Sequence, residues 1–299
     1  MSREVFSVFF QSRLTSLLRW VSNMEASVLD FQTRDGLMLH FNDWPASHPR
    51  ARLLLVHGLG EHSGRYTALA GELNALGISV RAFDHRGHGR SQGKRGVVGK
   101  EADCLSRDTA EVFKAYAAEG NDLPFLLGHS MGGLVVMHTV AKHGLRPRGL
   151  IASSPALASH AGKLDRMLSK ILFRVAPDFT VANGLPADKL SHAPGVERAY
   201  LDDPLNHNRI SARLARYLFD AGPAVIATAS TWSVPTLLQI AGNDRLVDPA
   251  GARAFAQGAR REVVEVQEYA DLYHEIYNEA EPARSQVVAD LSTWLRTHL

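Results

Sequence analysis

The chain is poor in the features that would send it to a specialised class. It has one cysteine, Cys104, in 299 residues. That excludes an intrachain disulfide and fits a reducing compartment, so a cytoplasmic location is expected. A lone thiol reads first as a small core residue. Charge of one sign is also missing, with 33 basic residues against 31 acidic ones and a formal net charge of +2. Neither that balance nor any Lys/Arg run or zinc-finger spacing points to nucleic acid as a partner. No H-E-x-x-H or other compact metal signature occurs, so neither a metal nor another cofactor is expected. An uninterrupted apolar run long enough to span a bilayer is absent as well.

Residues 1–24 carry Phe6, Phe10, Leu14, Leu17, Leu18 and Val21 at helical spacing, but Arg3, Arg13 and Arg19 interrupt them. A secretory signal needs an unbroken apolar region and a small-residue cleavage site, and neither is present. Three readings of this extension stay open. It is an interfacial amphipathic helix on a lipid surface, a helix docked on the protein, or a stretch upstream of a true start at Met24.

From residue 27 onward the pattern is globular, and the chain as a whole is 45% hydrophobic. Two strands are expected at 27–33 and 37–44 around the Asp35-Gly36 turn. Apolar runs at Leu53–Val56, Ile78–Phe83, Phe125–Leu127, Gly149–Ala152, Thr236–Ala241 and Val263–Val266 follow. They alternate with helical patterns at 66–76, 105–118, 133–143 and 249–258, and a last helix ends the chain. Short continuous apolar runs between helices predict a doubly wound, mostly parallel α/β sheet opened by an antiparallel hairpin. The alternation stops between Pro155 and Trp232, where prolines and helix-like pieces replace strands. A core of 25–155 and 233–299 with a helical cap inserted at 156–232 is therefore expected, the cap lying over the strand ends. Its stripe of Leu164, Met167, Leu168, Ile171 and Leu172 reads as packing mostly on the core, with a minority facing substrate.

The densest chemistry lies at Gly128-His129-Ser130-Met131-Gly132. This G-x-S-x-G follows a strand and precedes a helix, the context of a nucleophile elbow. A serine hydroxyl needs a base to take its proton and an acid to orient that base. The elbow architecture orders them serine, acid, histidine along the chain. Asp244 follows the strand Thr236–Ala241 and is the candidate acid. Its rivals are Asp271 and Asp248, the latter better read as a helix cap before Pro249. His274 follows the strand Val263–Val266 and is the candidate base, since His298 lies beside the chain end. His40, His143 and His207 read as surface or structural. The oxyanion donors expected are the amide of Met131 and that of Leu59 in the loop His57-Gly58-Leu59-Gly60-Glu61-His62. Gly58-Leu59-Gly60 faintly imitates a dinucleotide fingerprint, but the third glycine falls at Gly64, one position late.

These segments together with Asp84-His85-Arg86-Gly87-His88-Gly89-Arg90-Ser91, Gly242–Asp248 and Tyr273–Glu279 resemble the monoacylglycerol lipase and lysophospholipase branch of the α/β-hydrolases. The resemblance runs from about residue 27 to the end. It implies an α/β-hydrolase fold, with Ser130, Asp244 and His274 as triad and Leu59 and Met131 as oxyanion donors. It also implies a helical cap over an acyl-binding tunnel and ester hydrolysis of monoacylglycerols or lysophospholipids without a cofactor. Glu61, Arg65 and Tyr66 match family positions at the polar end of the site, where a bracing role for the oxyanion loop is an equal reading. His129 is a further candidate for substrate contact. Short-chain carboxylesterase, thioesterase, acyltransferase and a non-catalytic binding module of the same fold are the alternatives. The expected partner is a small lipid or ester, with peripheral membrane contact through the cap or the N-terminal helix. The sequence does not set the oligomeric state.

Overall fold

The computed structural model describes residues 29–101 and 103–299. The reading of residues 1–24 as an amphipathic helix lies outside them. Ten strands and eight α-helices follow in chain order among the described residues. The first strands are β1 (Leu29–Gln32), β2 (Met38–Trp44) and β3 (Ala51–Val56). Helix α1 (Thr67–Ala75), β4 (Ile78–Phe83), α2 (Cys104–Ala118), β5 (Phe125–His129), α3 (Met131–His143) and β6 (Leu150–Ser153) continue the core. Next come α4 (Lys163–Val175), β7 (Thr180–Ala182), α5 (Val196–Asp202), β8 (Arg209–Ser211) and α6 (Ala212–Ile226). Strand β9 (Thr236–Ala241), α7 (Ala250–Gly258), β10 (Val264–Tyr269) and α8 (Ala283–Thr297) complete the chain.

The main sheet runs β1-β2-β4-β3-β5-β6-β9-β10. The β1–β2 and β2–β4 pairings are antiparallel and the rest parallel. This is an α/β-hydrolase sheet, with its antiparallel strands at one edge as the hairpin signal predicts. Each apolar run is continuous because both faces are covered. On β3, Leu53 and Leu55 enter one core with Leu69 and Leu73 of α1 and Leu291 and Trp294 of α8. Leu54 and Val56 point the other way, into a core with Phe113 of α2, Leu134 of α3 and Val225 of α6. Strand alternation divides one hydrophobic run between two layers.

The segment between β6 and β9 differs from the sequence reading in two respects. It contains strands, since β7 and β8 pair antiparallel over three residues each. Their shortness and mixed polarity left no periodic signal to read. The apolar stripe of α4 also does not pack on the core. Leu164, Met167, Leu168 and Ile171 are 61%, 51%, 53% and 50% exposed, and Leu172 is half-buried. The helix instead turns Arg166 and Phe173 toward α6. The Arg166 guanidinium lies 5.0 Å from the centroid of the Phe219 ring, and that of Arg213 lies 5.8 Å from the Phe173 ring. Cation–π contacts hold the inward face, so the aliphatic face is left to the outside.

Candidate active site

Parallel strands β3, β5, β9 and β10 all end at the same sheet edge, and each delivers one part of the site there. Ser130 sits between the last residue of β5 and the first of α3, at φ 55° and ψ −120°. A left-handed φ in a serine is strained, and the surroundings fix it. The Ser130 N–H donates to the Ser153 carbonyl at 2.9 Å, and its carbonyl accepts from the Leu134 and Ala156 amides at 3.1 and 3.0 Å. A Cβ on Gly128 would lie 2.3 Å from the Gly132 carbonyl oxygen, and one on Gly132 would lie 2.1 Å from the Val56 oxygen. Glycine at 128 lets the helix start this close to β5, and glycine at 132 lets it approach β3.

Because β9 and β10 are parallel neighbours, the loops after them meet. His274 Nδ1 donates to Asp244 Oδ2 at 2.6 Å. The other carboxylate oxygen accepts from the Leu246 and Val247 amides at 2.8 and 2.9 Å. Burial opposes charge on Asp244, but His274 and these donors outweigh it and hold the carboxyl below its usual range. Burial likewise disfavours the His274 imidazolium, yet Asp244 and its hydrogen bond, helped by Glu275 and Glu61, leave the pKa raised above 6.5. With Nδ1 protonated toward Asp244, Nε2 is the acceptor left for another group. The Ser154 hydroxyl donates to the His274 carbonyl at 2.9 Å and pins the loop. Of the rival acids, Asp248 accepts from the Ala250 amide at the start of α7, and Asp271 is exposed.

The candidate oxyanion loop leaves β3 at His57. Among the described residues, neither the Leu59 nor the Met131 amide has an internal hydrogen-bond acceptor. Both residues line a cavity that Ser130 and His274 also line. Glu61 is buried beneath the loop, where Oε1 accepts from the Gly58 amide at 2.6 Å and from the Tyr66 hydroxyl at 2.7 Å. Burial would raise this carboxyl, but the Arg65 guanidinium, with His129 and His57, holds it down at about 2. His129 stands with its ring 4.8 Å from that of His274. Burial first, then His274, push it down to about 4, so it is neutral. Asp84 ties the neighbouring loop, accepting from the Ser63 amide and hydroxyl at 2.8 and 2.6 Å and from the Arg90 amide at 2.7 Å.

Two cavities meet at Ser130. One, of about 660 Å³, runs beneath the β6–β9 segment, with Leu157, Ile210, Leu218, Phe219 and Ile226 among its walls. The other is a recess of about 30 Å³ that also touches Glu61, Arg65, Tyr200 and Glu275. Ser130, His274, Leu59 and Leu246 line both. The larger volume is that of an ordinary small-molecule site, and the recess has room for little more than a hydroxyl-bearing fragment or water.

Residues 47–281 match the family described as serine aminopeptidase, S33. The chain belongs to this hydrolase family. Within the S33 family it is similar to a monoacylglycerol lipase of Mycolicibacterium smegmatis, 35% identical over 269 residues that cover 88% of this chain and 95% of the relative. A phospholipase of Bacillus subtilis is 34% identical and covers 80% of the chain and 93% of its own length. The crystal structure of the Paleococcus ferrophilus monoacylglycerol lipase superposes with a TM-score of 0.79 at 33% identity, over 87% of this chain and 99% of that one. The protein is a serine hydrolase. The carboxylates at this recess, Glu61 and Glu275, are both occupied by Arg65.

Sequence reasoning gave Glu275 and Tyr200 no role. The Glu275 amide donates to the Leu190 carbonyl at 2.8 Å, and the Tyr200 hydroxyl to the Gly60 carbonyl at 3.3 Å. Glu275 stood beside the candidate base in the sequence, but nothing local marked its partner.

Proposed function

We propose that the protein hydrolyses monoacylglycerols and single-chain phospholipids through an acyl-Ser130 intermediate. The observation that carries this reading is the position of Ser130 and His274 where a large, mostly apolar cavity joins a small recess that Glu61, Arg65, Tyr200 and Glu275 touch. An acyl chain fits the first and the hydroxyl end of the leaving alcohol fits the second. Ser130 Oγ attacks the ester carbonyl as His274 Nε2 takes its proton, and the Leu59 and Met131 amides receive the oxyanion. The tetrahedral intermediate collapses, the C–O bond to the alcohol breaks, and His274 returns the proton to the departing oxygen. Water then enters, gives its proton to His274 and attacks the acyl carbonyl. Collapse frees the fatty acid and returns the proton to Ser130. Asp244 keeps the imidazole in the tautomer that this cycle needs.

The segment 156–232 acts as the cap in this reading, and its α4 stripe supports contact with a lipid surface. Leu164, Met167, Leu168, Ile171 and Val175 form an exposed apolar face with exposed Lys170 and Arg174 beside it. Such a helix lies in an interface with its cations at the headgroups. Among the described residues no helix is long and apolar enough to cross a membrane. A peripheral protein of the reducing cytoplasm, where Cys104 stays a buried free thiol, fits both observations.

A panel of p-nitrophenyl esters, monoacylglycerols and lysophosphatidylcholines tests the substrate class, with long-chain glyceryl esters and lysolipids expected to give the highest kcat/KM. A preference for acetate or butyrate would make the protein a short-chain carboxylesterase. Thioesters or acyl acceptors that outcompete esters and water would make it a thioesterase or an acyltransferase. A fluorophosphonate probe is expected to label the intact protein and not Ser130→Ala. An unlabelled intact protein would leave a non-catalytic binding module.

A further inference from the structure

Arg65 lies in the short 3₁₀ helix Ser63–Tyr66 that directly follows the oxyanion loop. Its Nη1 donates to Glu61 Oε2 at 2.8 Å and to Glu275 Oε1 at 2.6 Å, and its Nη2 donates to Glu275 Oε2 at 2.8 Å. The guanidinium is covered by the Tyr200 ring, whose centroid is 5.1 Å away. All three charged side chains are nearly inaccessible, at 11% for Arg65 and 5% for each carboxylate. One end of this chain of bonds is the Gly58 amide, held by Glu61 next to the Leu59 donor. The other end is the peptide that joins Glu275 to His274. Two loops 210 residues apart in sequence are thus bolted through one planar fork.

We propose that Arg65 is a positioning residue that locks the oxyanion loop to the histidine loop, so that the donor amides and the base keep one mutual geometry. It acts through Glu61 and Glu275 rather than on the substrate. A lysine has the charge but not the fork, and cannot span both carboxylates with the same geometry. The lock also sets the field at the base. The groups facing His274 are Asp244 through its carboxylate, Glu275 and Glu61, neutral His129, and the Arg65 cation that offsets the two glutamates. Removing the cation leaves the imidazolium better stabilised, and removing Glu275's charge leaves it worse stabilised.

The inference rests on Ser130 and His274 being nucleophile and base, so Ser130→Ala is assayed first with p-nitrophenyl butyrate. Retained turnover there would overturn the proposed function and the lock with it, whereas the Arg65 and Glu275 variants test the lock alone. In the otherwise intact chain, Arg65→Lys is expected to lower kcat about 100-fold, the order lost when catalytic groups shift by about 1 Å. KM should stay within about twofold. Arg65→Gln should lower kcat further and move the acid limb of the kcat/KM profile to higher pH, while Glu275→Gln should move it to lower pH. Shifts of about one unit are expected. The loss should be the same for p-nitrophenyl butyrate and for a monoacylglycerol. A loss confined to the glyceryl ester would make Arg65 a head-group ligand and overturn the proposal. So would acid limbs that stay in place, or a kcat that falls only in proportion to the folded fraction measured by thermal melting.

Discussion

At the scale of single residues, the site is governed by distances that leave no room for adjustment. Gly132 has no space for a Cβ against the Val56 carbonyl. Gly132→Ala is therefore expected to push α3 away from β3, cost about 1–3 kcal/mol of stability in urea unfolding and abolish fluorophosphonate labelling. Asp244→Asn keeps the size of the side chain but presents a donor to His274 Nδ1. The imidazole then takes the wrong tautomer, and kcat should fall about 10⁴-fold with labelling slowed in parallel. The raised pKa of His274 fixes the sign of the pH profile. The base works only when neutral, so kcat/KM should rise with pH through a midpoint above 6.5, the ordinary imidazole value. A midpoint below 6.5 would mean that burial outweighs Asp244. Ser130, Asp244 and His274 could be offered as candidates because each follows its own strand in the order the elbow demands. Glu275 could not be assigned, because its meaning comes from Arg65, far away in sequence.

At the scale of elements, apolar runs identified the sheet strands and their order in the chain. Gly149–Ala152 was displaced by only one residue from β6. Periodicity was a poorer guide on α4. It marked an apolar face there without telling what covers that face, and the inward side turned out to be the one with Arg166 and Phe173. Replacing Met167, Leu168 and Ile171 with serine should leave stability within about 0.5 kcal/mol, since exposed positions contribute little packing. The same change should reduce co-sedimentation with liposomes and hydrolysis of vesicle-borne monoacylglycerol, and spare soluble p-nitrophenyl butyrate. Equal pelleting of the variant and the unaltered protein would remove α4 as the lipid contact.

At the scale of the whole molecule, burial of histidine makes the fold sensitive to acid. Burial holds His57, His85 and His88 below the ordinary value of 6.5, and His129 at about 4. The unfolded chain takes up protons at these rings from about pH 6.5 downward, while the folded chain does not. Stability is thus fully present above that pH and is lost as pH falls toward 4, by up to about 1.4 kcal/mol per pH unit for each such ring. His274, displaced upward, works in the opposite sense. Urea unfolding at pH 7.5 and 5.5 should show the midpoint falling with acidification, and an unchanged midpoint would contradict the burial of these rings as neutral groups.

The sequence by itself determined the α/β architecture, the reaction chemistry and the residues offered for it. Those depend on local backbone constraints and on chain order, which a linear pattern records. Only the tertiary structure decided that Arg65 joins Glu61 to Glu275, that the α4 stripe faces outward, and that a mostly apolar cavity of about 660 Å³ meets a recess of about 30 Å³ at Ser130. Each of these is a relation between segments distant in the chain. Volume and partnership arise when such segments pack, so no local spacing contains them.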